Sequence, residues 1–210
     1  MTSSSNALPF RSSASQTTGA AIIACGALSS HIETVVARRR LEVEIFSLPS
    51  ILHNSPKEIS TEVEKVIVEI EGRFDKIAVA YADCGTYGAL DQVLKRYGVS
   101  RLGGNHCYDV FAGKKQIEEI MEREAGTYLL TDFLARTFYQ SVIVQLGLDR
   151  YPELRDDYFK NYSRVIWLSQ NPTQELEKLA QAAASLIGLP LTSILVGEEK
   201  LEKEILTLLR

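Results

Sequence analysis

The sequence has few cysteines, no long apolar run and no excess of basic residues, so it lacks the features of a disulfide scaffold, a membrane protein or a nucleic-acid binder. Its 210 residues include three cysteines, so a dense disulfide framework is excluded and at least one thiol stays free. No apolar run approaches the roughly 20 residues that a membrane-spanning helix needs. Lys and Arg number 23 against 27 Asp and Glu, which leaves no net basic field for a polyanion. We therefore expect no membrane and no nucleic-acid partner.

The sequence also lacks the motifs of several common enzyme classes. Neither GxGxxG nor GxxxxGK[ST] occurs, so no standard phosphate-binding loop is present. HExxH and GxSxG are absent as well, which removes support for ordinary metalloproteases and esterases. The segment Gly85-Thr-Tyr-Gly88 has only the outline of a phosphate turn. Function must therefore be sought in less familiar groupings of residues.

The amino-terminal segment differs in composition from the rest of the chain. Residues 1–19 contain six Ser and three Thr, one Arg and no acid. This composition predicts a disordered leader, with a targeting peptide as the alternative. The segment has no continuous apolar stretch of a secretory signal, so we expect a cytoplasmic protein with reduced thiols. Residues 20–210 are then expected to form one domain.

From residue 20 onward, short apolar runs alternate with amphipathic helical patterns. Ala20–Cys25 and Ile77–Tyr81 are typical of buried parallel strands, and residues 61–74 space their apolar side chains as a helix does. About seven strands are predicted in this way. Such alternation predicts βαβ units. We expect an α/β fold: a single domain with a mostly parallel sheet of about seven strands and helices on both faces, Rossmann-like and three-layered.

Reactive side chains follow several predicted strands at the point where each strand ends. Cys25 ends the first strand, His53 follows the second, Cys84 ends the third, and His106 and Cys107 follow the fourth. The carboxyl ends of parallel strands share one edge of a sheet, and ligands bind there. We therefore expect these five side chains to converge.

Thiols and imidazoles together favour soft metal ions. Each Cys-Gly step is expected to precede a helix, whose dipole would lower the thiol pKa. Such ligands suit zinc best, with iron or an iron–sulfur cluster as alternatives. The predicted ligands are Cys25, Cys84 and Cys107, completed by His106 or His53.

Other residues at the same edge have predicted supporting roles. Asp83 would orient a histidine, and His106 would act as a base. Gly26 and Gly85 would allow a close approach of the backbone to a bound molecule. Thr131 and Asp132 end a later strand, where they would contact a cofactor or substrate.

Two other interpretations compete with the metal centre, and they leave open whether the chain is an enzyme. Free cysteines are often buried and only pack, so the second hypothesis is a metal-free module that binds a small molecule or a corrinoid-type partner. A thiol redox enzyme is the third hypothesis, and it needs two cysteines with Cα atoms within about 7 Å. His31 is expected on the surface of the first helix.

Six phrases of the sequence resemble one family. They are Ile23–Leu28, Leu48–Asn54, Tyr81–Gly85, Asn105–Tyr108, Thr131–Leu134 and Leu148–Leu154. In this order they resemble the prokaryotic family called domain of unknown function 1638, over about residues 20–205. The resemblance implies an association with corrinoid-dependent methyltransferases. It would imply methyl or one-carbon transfer with such a protein as partner, in which a thiolate-bound zinc activates a thiol acceptor.

Overall fold

Seven short strands build the sheets of the described residues, 19–210, in the computed structural model. All of them pair in parallel. They are β1 (Ala20–Cys25), β2 (Val43–Leu48), β3 (Lys76–Ala80), β4 (Ser100–Arg101), β5 (Thr127–Thr131), β6 (Arg164–Ser169) and β7 (Leu191–Leu195). The predicted leader lies outside the described residues, apart from Gly19.

Nine α-helices connect the strands within the same described range. They are α1 (Ser29–Arg39), α2 (Pro56–Ile70), α3 (Ala89–Tyr97), α4 (Cys107–Ala112), α5 (Lys114–Arg123), α6 (Asp132–Phe138), α7 (Arg155–Phe159), α8 (Gln174–Leu186) and α9 (Glu199–Leu208). None of these helices is both long and apolar enough to cross a lipid bilayer. The predicted α/β class with parallel strands is confirmed.

The strands belong to two sheets, whereas the sequence pattern suggested one. The first sheet has the order β2-β1-β3-β4, and the second has the order β5-β6-β7. Strand order depends on pairing between distant segments, which the periodicity of each segment does not encode.

Both sheets are covered by helices on their two faces. In β1, Ala21–Cys25 are all buried, as expected for a central parallel strand. In the second sheet, alternate residues belong to different apolar clusters: Leu130 and Trp167 pack with α6 and α8, whereas Leu129 and Ile166 pack with α5. This alternation is the two-residue period of a strand buried on both faces.

The last helix returns to the first sheet. Leu201, Ile205 and Leu208 of α9 belong to the apolar core of that sheet. We name residues 19–112 with 199–210 the four-stranded lobe, and residues 113–198 the three-stranded lobe. The chain thus passes between the lobes twice, at Gly113 and near Gly197.

Ion pairs also fix α9 to α1. His31 Nδ1 lies 2.7 Å from Glu198 Oε1, and both Arg38 and Arg39 bind Glu202. His31 is buried, not exposed as its position in the helix suggested, because Glu198 directly before α9 contacts its ring and Phe111 of α4 packs against it. Its partner is 167 residues away in the chain.

Two segments of irregular helix follow regular elements. Ser50–Asn54 forms a 3₁₀-helix after β2. Tyr139–Val144 forms a π-helix directly after α6. Both segments border the same cleft.

Candidate functional site: the interlobe cleft

A cleft of about 360 Å³ lies between the carboxyl ends of the two sheets. We call it the interlobe cleft. Its walls come from both lobes: Ala27, Ser50, Ile51, His53, Asn54, Cys107 and Tyr108 from the four-stranded lobe, and Tyr128, Thr131, Phe133, Leu134, Gln140, Ser141, Val142 and Gln145 from the three-stranded lobe. The volume lies in the range of small-molecule sites.

The π-helix forms part of the wall contributed by the three-stranded lobe. Gln140, Ser141 and Val142 lie on it and line the cleft. π-Helices are rare and occur often at functional sites, because the wider turn redirects side chains. Just beyond it, Gln145 Oε1 accepts a hydrogen bond of 3.3 Å from Asn54 Nδ2, which links the two lobes across the cleft.

His53 connects the cleft to the thiols behind it. Its Nδ1 lies 2.9 Å from the carbonyl oxygen of Ser50, which can only accept, so Nδ1 carries the hydrogen. Nε2 is then free to accept from the Cys25 thiol, whose Sγ lies 3.8 Å away. The ring stacks on Tyr81, with centroids 6.3 Å apart. The 3₁₀-helix after β2 therefore places His53 over the end of β1.

The structure brings the three thiols together at the carboxyl edge of the first sheet. Burial, with a smaller contribution from the nearby Cys84, raises the pKa of Cys25 to about 12. Burial likewise raises the pKa of Cys84 to about 11. The pKa of Cys107 lies well above its ordinary value because of burial and of both other thiols. At neutral pH without a metal, all three are therefore protonated.

These raised pKa values differ from the lowered ones expected of thiols at helix starts. After Cys25 and Cys84 the helices begin only at Ser29 and Ala89, so their amino-terminal dipoles do not act directly on the sulfur atoms. Cys107 does begin a helix, but α4 has six residues. Removal of the thiols from water outweighs the dipole.

Tyr81 completes this cluster, and sequence reasoning missed it. It follows β3 directly, and its side chain is fully buried. Its hydroxyl lies near the Cys25 thiol but outside hydrogen-bonding geometry, so it has no hydrogen-bond partner among the described residues. Burial, with both Cys25 and Cys84 nearby, raises the pKa of the phenol. In the sequence, only the position of Tyr81 in the family phrase Tyr81–Gly85 pointed to a role for this residue.

Asp83, expected to orient a histidine, instead holds a turn. Its carboxylate accepts hydrogen bonds from Thr86 Oγ1 at 2.8 Å, Tyr87 N at 3.0 Å and Gly88 N at 2.9 Å. Burial by itself would raise the pKa of Asp83, but these hydrogen bonds lower it below its ordinary value. The carboxylate therefore organises the segment that leads into α3.

Asp132 serves the backbone in the same way in the other lobe. It accepts hydrogen bonds from Trp167 Nε1 at 2.8 Å, Gln170 N at 3.2 Å and Asn171 N at 2.7 Å. It is buried and does not line the cleft. Thr131 does line the cleft, while its Oγ1 accepts from Leu134 N at 3.2 Å and so caps α6.

His106 lies in a different cavity. Its backbone N–H donates to Asp109 Oδ2 at 3.2 Å, at the start of α4. The side chain borders a second cavity of about 400 Å³, lined by Asn105, His106, Tyr108, Asp109, Lys114, Ile117, Glu118, Met121, Thr127, Tyr128, Leu129 and Tyr162. Tyr108 and Tyr128 are common to both cavities. His53, not His106, is thus the histidine that contacts a cysteine.

Local backbone structure explains why glycine occupies positions 26 and 85, both predicted at the site. A Cβ on Gly26 would lie 2.7 Å from Leu48 O and 2.9 Å from Ser50 N, so the close approach of the β2 loop requires glycine. Gly85 has a φ of +83°, which favours glycine at this turn. Neither residue lines the interlobe cleft.

A complete set of metal ligands is not preformed. Within residues 19–210, no group of three or more His, Cys, Asp or Glu side chains has the disposition to hold a metal ion. All three cysteines are free.

These features define a two-lobed α/β protein whose parallel sheets open on a shared cleft. The chain belongs to the family described as Protein of unknown function (DUF1638), whose model matches residues 47–205. The resemblance seen in the sequence is therefore confirmed. The match includes His53, Cys84 and Cys107 and begins after Cys25. No curated protein matches the chain.

Proposed function

We propose that this protein binds a small molecule in the interlobe cleft. One observation supports this most directly: segments that follow β1 and β2 of the first sheet and β5 of the second sheet line the same cleft. Ligands of open α/β sheets bind at that edge because loops and helix starts there present polar groups. A cleft shared by two sheets receives such groups from both sides.

The construction of the cleft fits a binding site. Aromatic and aliphatic side chains such as Tyr108 and Phe133 supply apolar surface, while Asn54, Gln140 and Thr131 supply hydrogen-bonding groups. Mostly apolar walls with a few polar groups are typical of small-molecule sites. The hydrogen bond from Asn54 to Gln145 shows that the lobes already approach each other closely at the rim.

Filling the cleft tests the proposal. Ser141 is half-buried on the cleft wall, and Ser185 lies exposed on α8, so Ser141→Trp and Ser185→Trp introduce the same side chain in two places. Both proteins and the wild type would be screened by ligand-observed NMR against a set of aromatic amides, acids and amines. We expect binding to the wild type and to Ser185→Trp, and loss of binding in Ser141→Trp.

A second candidate function is metal binding by the thiol cluster. It is favoured by the convergence of Cys25, Cys84 and Cys107 with His53 Nε2 directed at Cys25. Soft thiolates with an imidazole suit zinc, with iron or an iron–sulfur cluster as alternatives. The protonated thiols must first lose their hydrogens, so metal affinity should rise steeply with pH.

Metal analysis after expression in zinc-replete medium and dialysis tests this second candidate. We expect near-stoichiometric zinc in the wild type, and a large loss in each single Cys→Ser variant. His53→Ala and His106→Ala separate the two histidines, because only His53 contacts a thiol. If the wild-type protein contains no zinc, and added zinc does not change the reactivity of its thiols, this candidate is wrong. The proposal of a small-molecule site in the cleft does not depend on that result.

Several further expectations stay predictions. Methyl or one-carbon transfer and a corrinoid-linked methyltransferase partner are implied by the family resemblance. A thiol redox activity would use two members of the thiol cluster. The cytoplasm is the proposed compartment, because a reducing environment would keep all three cysteines free.

A further inference from the structure

The interlobe cleft and the second cavity differ sharply in charge. The second cavity is bordered by Asp109, Lys114 and Glu118. Among the described residues that line the interlobe cleft, none is Asp, Glu, Lys or Arg. Tyr108 and Tyr128 line both cavities. The charged cavity and the cleft without acidic or basic side chains are therefore direct neighbours.

The remaining polar ring and thiol groups of the lining are His53, Cys107, Tyr108 and Tyr128. His53 is held by the protein at both ring nitrogens. Its Nδ1 lies 2.9 Å from the carbonyl oxygen of Ser50, and its Nε2 lies 3.8 Å from Cys25 Sγ.

A wall without charges selects against charged ligands. An ion that enters such a cleft loses hydration and finds no opposite charge, which costs free energy. Amide and hydroxyl groups still offer hydrogen bonds, from Asn54, Gln140 and Gln145 and from Ser50 and Ser141. The cleft therefore favours molecules whose polar groups are uncharged.

We propose that the occupant of the interlobe cleft is an uncharged small molecule with an apolar or aromatic body and amide or hydroxyl groups at its edge. This inference rests on the proposed binding function of the cleft. Tyr108, Tyr128 and Phe133 contact the body, and the amide side chains near the π-helix bind the edge. Phosphorylated compounds and carboxylates are disfavoured.

Three probes of the same shape test the ligand class. Benzamide is neutral, benzoate is an anion and benzamidinium is a cation. Their affinities for the wild-type protein would be measured at pH 7 by NMR titration. We expect benzamide to bind at least about tenfold more tightly than either ion, because only the ions pay an uncompensated cost of desolvation.

A single charge placed on the cleft wall should change this order. Gln140→Glu adds a carboxylate to the π-helix at an exposed lining position, and Gln181→Glu adds one to an exposed position of α8 as the matched control. In Gln140→Glu we expect benzamidinium to bind about tenfold more tightly and benzoate more weakly. In Gln181→Glu the order should match the wild type.

The outcomes distinguish the two proposals. If an ion binds the wild type as tightly as benzamide, and Ser141→Trp abolishes that binding, the ligand class is wrong and the cleft remains a binding site. If none of the probes binds at about 10 mM, where fragments of this size normally bind, both proposals fail. Binding that is unchanged in Ser141→Trp likewise removes both.

Discussion

The two lobes use the carboxyl ends of their strands in different ways. In the four-stranded lobe the strand ends present Cys25, Tyr81 and Cys84, which form few hydrogen bonds and lie protonated in the interior. In the three-stranded lobe the strand ends present Thr131 and Asp132, which accept hydrogen bonds from backbone and side-chain donors. Buried thiols thus follow strands only in the four-stranded lobe, whereas each lobe has one strand-end acid that anchors the backbone, Asp83 in the first and Asp132 in the second.

The anchoring role of Asp132 should produce the largest effect on stability. Asp132→Ala leaves the donors Trp167 Nε1, Gln170 N and Asn171 N without their acceptor inside the lobe. We expect the free energy of unfolding to fall by about 3–5 kcal/mol, because buried donors that lose a charged acceptor are costly. Urea denaturation followed by tryptophan fluorescence measures this change.

Asp83→Ala provides the matched comparison in the other lobe. Asp83 also accepts three hydrogen bonds, but it is only half-buried, so water can replace the lost acceptor. We expect a loss of about 1–2 kcal/mol. Equal losses in the two variants would show that the lobes depend on their strand-end acids to the same extent.

The buried thiols should make the protein sensitive to alkali. The pKa of Cys25 is about 12 in the folded protein, against 9.0 when it is unperturbed, so folding favours its protonated form. The stabilisation is complete below about pH 9 and is lost as the pH rises toward 12. Ionisation of the Cys25 thiol in the unfolded chain should lower the free energy of unfolding by about 2 kcal/mol at about pH 10.5, relative to its value at neutral pH.

Cys25→Ala isolates this contribution. The variant lacks the titrating thiol, so its stability should fall less steeply than that of the wild type between about pH 8.5 and 10.5. Parallel profiles would mean that the Cys25 thiol ionises as easily in the folded as in the unfolded chain. That result would contradict the buried thiol cluster of the four-stranded lobe.

The ion pairs between α1 and α9 should give the smallest effect. Glu202→Gln weakens the contacts with Arg38 and Arg39, and we expect a loss of about 1 kcal/mol at pH 7. Hydrogen bonds from these arginines lower the pKa of Glu202, so its contribution is present above pH 4.5 and is lost as the pH falls below it.

Glu33→Gln, an exposed acid on α1, is the control for that variant. Urea midpoints should differ between Glu202→Gln and the control more at pH 7 than at about pH 3.5. A difference of the same size at both pH values would indicate that Glu202 acts through packing instead of charge.

Most regular elements could be predicted because their signals are local. Ala20–Cys25 is a continuous apolar run and is β1, and the helical spacing of residues 61–74 overlaps α2. The π-helix at Tyr139–Val144 was not predicted, since its residues fit an ordinary helical pattern. The short α4 was also missed, because its six residues provide less than two turns of periodicity.

The candidate site was predictable in part for the same reason. Cysteines at the ends of apolar runs must lie at the carboxyl edge if the strands are parallel, and the structure brings Cys25, Cys84 and Cys107 together there. The amides of the cleft wall, such as Gln140 and Gln145, gave no signal. They belong to the other lobe, and only the packing of the lobes places them opposite His53.

By itself the sequence determined the α/β class, the parallel strands, the family and the order of the thiols along the chain, with Cys25 at the end of β1 and Cys84 and Cys107 in the segments after β3 and β4. These follow from hydrophobic periodicity and ordered motifs, which act over short stretches of chain. The tertiary structure decided how the strands divide between two sheets and which polar groups remain available. Asp83 and Asp132 are engaged by nearby donors, whereas the thiols are removed from water without comparable hydrogen bonds. Burial and long-range contacts set those outcomes, so side chains at similar strand ends became anchors in one case and candidate reactive groups in the other.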